Sequence, residues 1–178
     1  GEVWKEKFAL TGSLLIGVSG SWLGGCLYWG WLREYPVWHL PVESIVLPFA
    51  LLGLKTRWRD GASFYLACLL GTGLTDLMMV FTGVMSRWPS VVKAPLNDAP
   101  LLLHQAAADL LHPLPISLLL LAGVLIFLLA RAMRKKADEE KSFASTWVIA
   151  SSALIATLGI DGLFLLTASI QPSLSGLI

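Results

Sequence analysis

The chain has 178 residues, of which 56% are hydrophobic and 14% charged, and its formal net charge is +1. A soluble domain carries roughly 25% charged residues, and the charge missing here is missing from long apolar runs, so the composition excludes an ordinary soluble domain and, with no basic face, a nucleic-acid binder. The length fits one integral membrane domain over residues 1–178, and the expected fold is all-α, a polytopic bundle of membrane helices.

Gly1 to Lys7 is charged and lacks a signal-peptide pattern, so the chain reads as a mature or trimmed product. Phe8 to Leu32 is long enough to cross the hydrocarbon core, which needs roughly 20 apolar residues. Ser13, Gly17, Ser21 and Gly25 recur every fourth residue and predict a face on which a second helix packs closely. Cys26 and Cys68 lie inside apolar runs and read as small buried hydrophobes.

The stretch from Leu27 to Leu54 holds the densest group of unusual residues, with Trp, Tyr, Pro, His and Glu between two apolar runs. Within it, Leu40 to Leu54 is short for a span and contains Pro41, Glu43 and Pro48. Pro41 is placed to start a helix and Pro48 to break it. A short proline-broken span and a re-entrant segment both fit this pattern.

Ala62 to Met85 is a clear span with Asp76 inside it. Ser86 to Pro115 carries five prolines and reads as a loop, with Leu101 to Leu111 as a short helix on the membrane surface. Leu114 to Met133 is the cleanest span and Phe143 to Ile170 the last, with Asp161 inside it. The prediction is therefore four full spans plus the short segment. If that segment crosses, ten Lys and Arg fall on one side and three on the other; if not, nine face four. Both arrangements obey the positive-inside rule.

Two stretches echo each other: LGTGLTDLMMVFTG from Leu70 and TLGIDGLFLLTAS from Thr157. Inverted repeats in transporters leave such traces, although apolar helices also match by chance.

The candidate functional residues are the acids within the apolar runs, Glu43, Asp76 and Asp161, with His39 and Trp38 at the mouth of the short segment. A charge at the bilayer centre costs about 2.5–3.5 kcal/mol even on the lenient scale, so such acids face the bundle interior, pair, or stay protonated. The sequence shows no intramembrane Lys or Arg to pair with them and no long relay series. Packing, partner or pigment contact is therefore favoured over a proton or cation path. His39, His104 and His112 lack the Cys or spaced carboxylates of a metal motif. A neutral His39 in this setting can ligate a chlorophyll magnesium or a haem iron, although such a histidine more often hydrogen-bonds locally, and Trp38, His39 and Glu43 are the expected cofactor contact. Trp29, Trp31, Trp38, Trp58 and Trp88 fit an interfacial aromatic belt. No nucleophile elbow, phosphate loop or CxxC is present, so no enzyme activity is expected.

WLGGCLYWGWLREYPVWHLPVESIVLPFAL from Trp22, FYLACLLGTGLTDL from Phe64 and DGLFLL from Asp161 resemble a family of small membrane proteins catalogued as a domain of unknown function in cyanobacteria. The blocks stand in the same order and span most of the chain. The resemblance singles out Trp38, His39, Glu43, Gly71, Thr75, Asp76, Asp161 and Gly162. It implies the thylakoid of a cyanobacterium or plastid. The function expected from it is a non-catalytic accessory subunit or assembly factor of a photosystem-type complex, in contact with lipids, other subunits, and chlorophyll or carotenoid. The alternative is a small proton- or ion-linked transporter using the intramembrane acids.

Overall fold

The structure is a computed structural model that describes residues 2–171. It is helical throughout its ordered elements: α1 (Glu2–Leu27), α2 (His39–Glu43), α3 (Leu47–Gly53), α4 (Arg59–Phe81), α5 (Val84–Lys93), α6 (Ala99–Leu110), α7 (Pro113–Glu139) and α8 (Ala144–Ile170). Among the described residues, five segments are long and apolar enough to cross a membrane: Lys7–Leu32, Pro36–Gly53, Arg59–Phe81, Pro113–Glu139 and Lys141–Ile170. α4 is central and packs on α1, α3, α7 and α8, while α7 and α8 pack on each other.

The crossing of α1 and α4 is set by small residues. A Cβ at Gly17 would lie 2.3 Å from the Gly61 carbonyl oxygen, and one at Gly61 would lie 1.8 Å from that of Ser13. The Gly61 N–H belongs to the first turn of α4, where backbone donors lack an intrahelical acceptor. It donates to the buried Ser13 hydroxyl at 2.9 Å. The contact face continues through Gly20, beside Tyr65, and Gly24, beside Glu43, but leaves Gly25 in open space. This departs from the predicted four-residue row for a geometric reason. At 100° per residue, position 25 is rotated about 120° from position 13, whereas position 24 is rotated only about 20°. The same rotation corrects the reading of Cys26, which lies exposed on the outer side of α1, while Cys68 is half-buried.

Pro36–Gly53 is two short α-helices, α2 and α3, each entered through a 3-10 turn. Pro36 opens the first turn and Pro48 opens α3, both where a missing N–H costs nothing. Pro41 sits in the first turn of α2 rather than ahead of it. The segment descends antiparallel to α4, with Leu40 beside Gly73 at one end and Gly53 beside Ala62 at the other. A re-entrant loop would return to its starting face; this segment instead delivers the chain to the opposite end of α4. α1 and α4 consequently run parallel, and the arrangement is the one that places ten basic residues on one side.

α4 and α8 also run parallel, with Gly71 against Thr157 and Thr75 bonded to Asp161. The two echoing stretches therefore point the same way, which rules out an inverted-topology relation between them. At the basic end, Asp60 accepts from the Thr146 hydroxyl at 2.7 Å and the Ser145 hydroxyl at 3.1 Å, tying the starts of α4 and α8 together. Asp60→Ala is expected to lower stability by about 1 kcal/mol, given roughly 0.6 kcal/mol per interhelical hydrogen bond. Unfolding in mixed detergent micelles measures it.

The expected loop between the third and fourth spans holds two helices. Val84–Lys93 is helical despite Pro89, which removes one backbone bond while Val84 and Val91 are buried. The reading of prolines as breaks missed this helix. α6 packs on α8 through Leu103, Ala107 and Ala168. A second core joins Ala67, Ile126, Ala130, Ala150, Ala153 and Leu154 of α4, α7 and α8. Alanine at most of these positions brings the backbones close together.

Candidate functional site

The site begins with an irregularity at the end of α1. Tyr28–Leu32 forms one π-helical turn. The wider turn carries Tyr28 inward, where it is only 2% exposed, and its ring lies on that of His39 with centroids 4.2 Å apart. The chain then reverses over Arg33 and Glu34 and enters the broken segment.

α2 places His39 and Glu43 on one face, four residues apart. His39 Nε2 lies 3.4 Å from Glu43 Oε1, and His39 Nδ1 lies 2.9 Å from Asp76 Oδ1 on α4. The three side chains are 22%, 18% and 12% exposed. Asp76 stands five residues before the end of α4, about 8 Å along the axis, so the histidine and its partners lie inside the bundle rather than at its rim.

Glu43 is held by its own backbone. The switch from α2 to a 3-10 turn gives the Leu47 N–H to the Ser44 carbonyl. The carbonyl of Glu43 also accepts from the Tyr65 hydroxyl. On the other side Gly24 of α1 is needed: a Cβ there would lie 2.7 Å from Glu43 Cα. The glycine face of α1 thus lets α2 come close enough for His39 to reach Asp76.

Asp161 joins through the residue next to Asp76. Its Oδ2 accepts from the Thr75 hydroxyl at 2.6 Å. It lies nine residues before the end of α8, about 14 Å along that axis. Glu43, His39 and Asp76 form one contact line, and Asp161 reaches the same stretch of α4 from α8.

The donor chemistry of the line is specific. A carboxylate only accepts, and a neutral imidazole offers one donor and one acceptor. His39 keeps both contacts as an imidazolium between two carboxylates. It also keeps both as a neutral ring with one carboxyl protonated. A proton can thus sit on the ring or on an acid without breaking either contact. Among the described residues no three such groups converge on one ion position.

All four charged candidates fall in or next to this cluster, but Trp38 does not. It is 57% exposed on the outer side of the turn before α2. His104 and His112 are exposed and distant from it in the α6 region. Tyr28 and Tyr65 are functional neighbours that the sequence reading missed. Tyr28 stands four residues after Gly24 and continues its face, which was the available signal. Trp88, read as an interfacial belt residue, instead packs edge-on against Trp29 with its indole nitrogen buried.

Residues 2–169 match the family described as a protein of unknown function, DUF3120. The chain belongs to the DUF3120 family. No curated protein and no solved structure matches it. Within this DUF3120 chain, the match covers every helix of the bundle and all of the cluster. It is an all-helical integral membrane protein whose apolar helices contact lipid, and its part-buried acids and histidine meet within the bundle.

Proposed function

We propose that the chain moves protons, as a small proton-linked transporter or channel, through Glu43, His39 and Asp76 with Asp161 as a further acid. The observation that carries this reading is the histidine bracketed by two carboxylates inside the helices. Ionisable groups there are costly, and proton relays are among their recurrent uses. The sequence-level objection, that the acids lack a basic partner, no longer applies once His39 is seen between them. No covalent chemistry is invoked, and the role is non-enzymatic.

Proton uptake into liposomes carrying the purified protein tests it. Asp161→Asn is expected to slow uptake several-fold, and Glu43→Gln to slow it less than Asp76→Asn does, because 3.4 Å is the weaker contact. Rates unchanged in all three variants would remove these acids from the path.

The second reading is an accessory subunit or assembly factor of a photosynthetic membrane complex, located in the thylakoid of a cyanobacterium or plastid. Its support is the outer aromatic surface at Trp31, Val37 and Trp38, which the bundle itself leaves uncovered. That surface suits a neighbouring subunit, a carotenoid or a chlorophyll ring. As a magnesium ligand, His39 would first have to release Glu43, the longer of its two contacts. Comigration with a large complex on native gels, with pigment absorbance, would support it; migration as a free small protein would count against it.

A further inference from the structure

We infer that α5 is a lid over the mouth of the cluster, with Trp88 as its plug and the ion pair of Lys93 and Glu34 as its latch. The inference rests on the proton-path reading for what the lid would control. Four observations converge on it.

α5 packs against Pro36–Trp38, the turn that leads directly into His39. Its Trp88 meets Trp29, the residue next to the Tyr28 that stacks on His39. The indole N–H of Trp88 is buried and faces the Tyr28 hydroxyl. At the far end of α5, Lys93 lies 3.2 Å from Glu34 and over the ring of Tyr35 at 5.8 Å, both in the reversal between α1 and α2.

The helix is sharply bounded at both ends. Gly83 has φ of 77°, a left-handed conformation that glycine adopts freely. Ala94 is extended and Pro95 follows it, so the helix stops there. Arg87 pairs with Asp109 of α6, which keeps α5 tied to α6. A crevice lined by Trp29, Arg33, Glu34, Val91 and Lys93 runs along the latch. Lifting α5 at Lys93 would widen that crevice towards Tyr28 and His39.

Access of water to the cluster is the readout. In a Cys26→Ala/Cys68→Ala background, His39→Cys supplies a thiol at the mouth, labelled in liposomes by a charged maleimide. Glu43→Cys repeats the test one helical turn deeper, should the first variant fail to fold. Trp88→Ala is expected to speed labelling about tenfold, and Trp88→Phe, which keeps an aromatic plug, to leave it close to the native rate. Lys93→Glu is expected to speed labelling, and adding Glu34→Lys to restore the original rate. Equal rates across all these lids would overturn the proposal. Labelling that responds to the lid in a protein without proton flux would keep the lid and remove the proton path; flux with an indifferent lid would do the reverse.

Discussion

Gly61→Ala is expected to push α1 away from α4 and to lower stability by about 3 kcal/mol, the upper end of the overpacking range. The added carbon would sit inside the van der Waals radius of the Ser13 carbonyl oxygen, at 1.8 Å, and the obstacle is backbone that no rotamer change can move. Separation of the helices would also break the bond from the Gly61 N–H to Ser13. Gly17→Ala should behave alike, because its Cβ would meet the Gly61 carbonyl group. Gly12→Ala and Gly25→Ala are the controls, since nothing lies within 4 Å of either added carbon. They should be neutral or slightly stabilising, alanine being the better helix former by about 1 kcal/mol. Unfolding in mixed micelles would separate the two pairs. An equal loss at Gly24 and Gly25 would contradict the assigned face of α1.

Asp76→Asn is expected to leave the fold intact and to reduce proton flux at least tenfold. The amide oxygen still accepts from His39 Nδ1, so the bridge between α2 and α4 persists at a cost within about 1 kcal/mol. What is lost is the ability to take up a proton. The contact at 2.9 Å is the shortest that His39 makes to an acid, and Asp76 is the only residue linking His39 to α4 among the described hydrogen bonds. A matched helical content with a lost flux would separate this role from a structural one. A lost fold would instead assign Asp76 to packing.

Much of the architecture was legible from residues alone. Apolar runs of span length gave α1, α4, α7 and α8 to within about six residues at each end, because a bilayer permits only self-satisfied helices of that length. The intramembrane cost of charge picked out Glu43, Asp76 and Asp161. Their convergence was hidden, since His39 and Asp76 are 37 positions apart and meet only because Gly24 lets α2 approach α1. No local pattern records that approach. The helix at Val84–Lys93 was hidden for the opposite reason. Pro89 is a strong local signal, and tertiary burial of Val84 and Val91 overrides it. Likewise, the count of basic residues left the path of Pro36–Gly53 open, whereas the contacts at its two ends show it running the length of α4.

The cluster also ties stability to function. Tyr65 holds the backbone of Glu43, Tyr28 covers His39, and the glycine face of α1 admits both. Polar groups inside a membrane need fixed partners, because each unpaired arrangement is costly there. Side chains brought together from α1, α2, α4 and α8 meet that need in a chain of 178 residues.

The most direct measurement is proton uptake by liposomes containing the native chain or His39→Gln, driven by a potassium diffusion potential and read by an enclosed pH-sensitive dye. Glutamine keeps a hydrogen-bonding side chain and cannot carry a proton. The predicted result is uptake well above that of empty liposomes for the native chain and uptake equal to empty liposomes for His39→Gln. Native uptake no faster than empty liposomes, or equal uptake by the two proteins, would contradict the assignment of His39 as the carrier between Glu43 and Asp76.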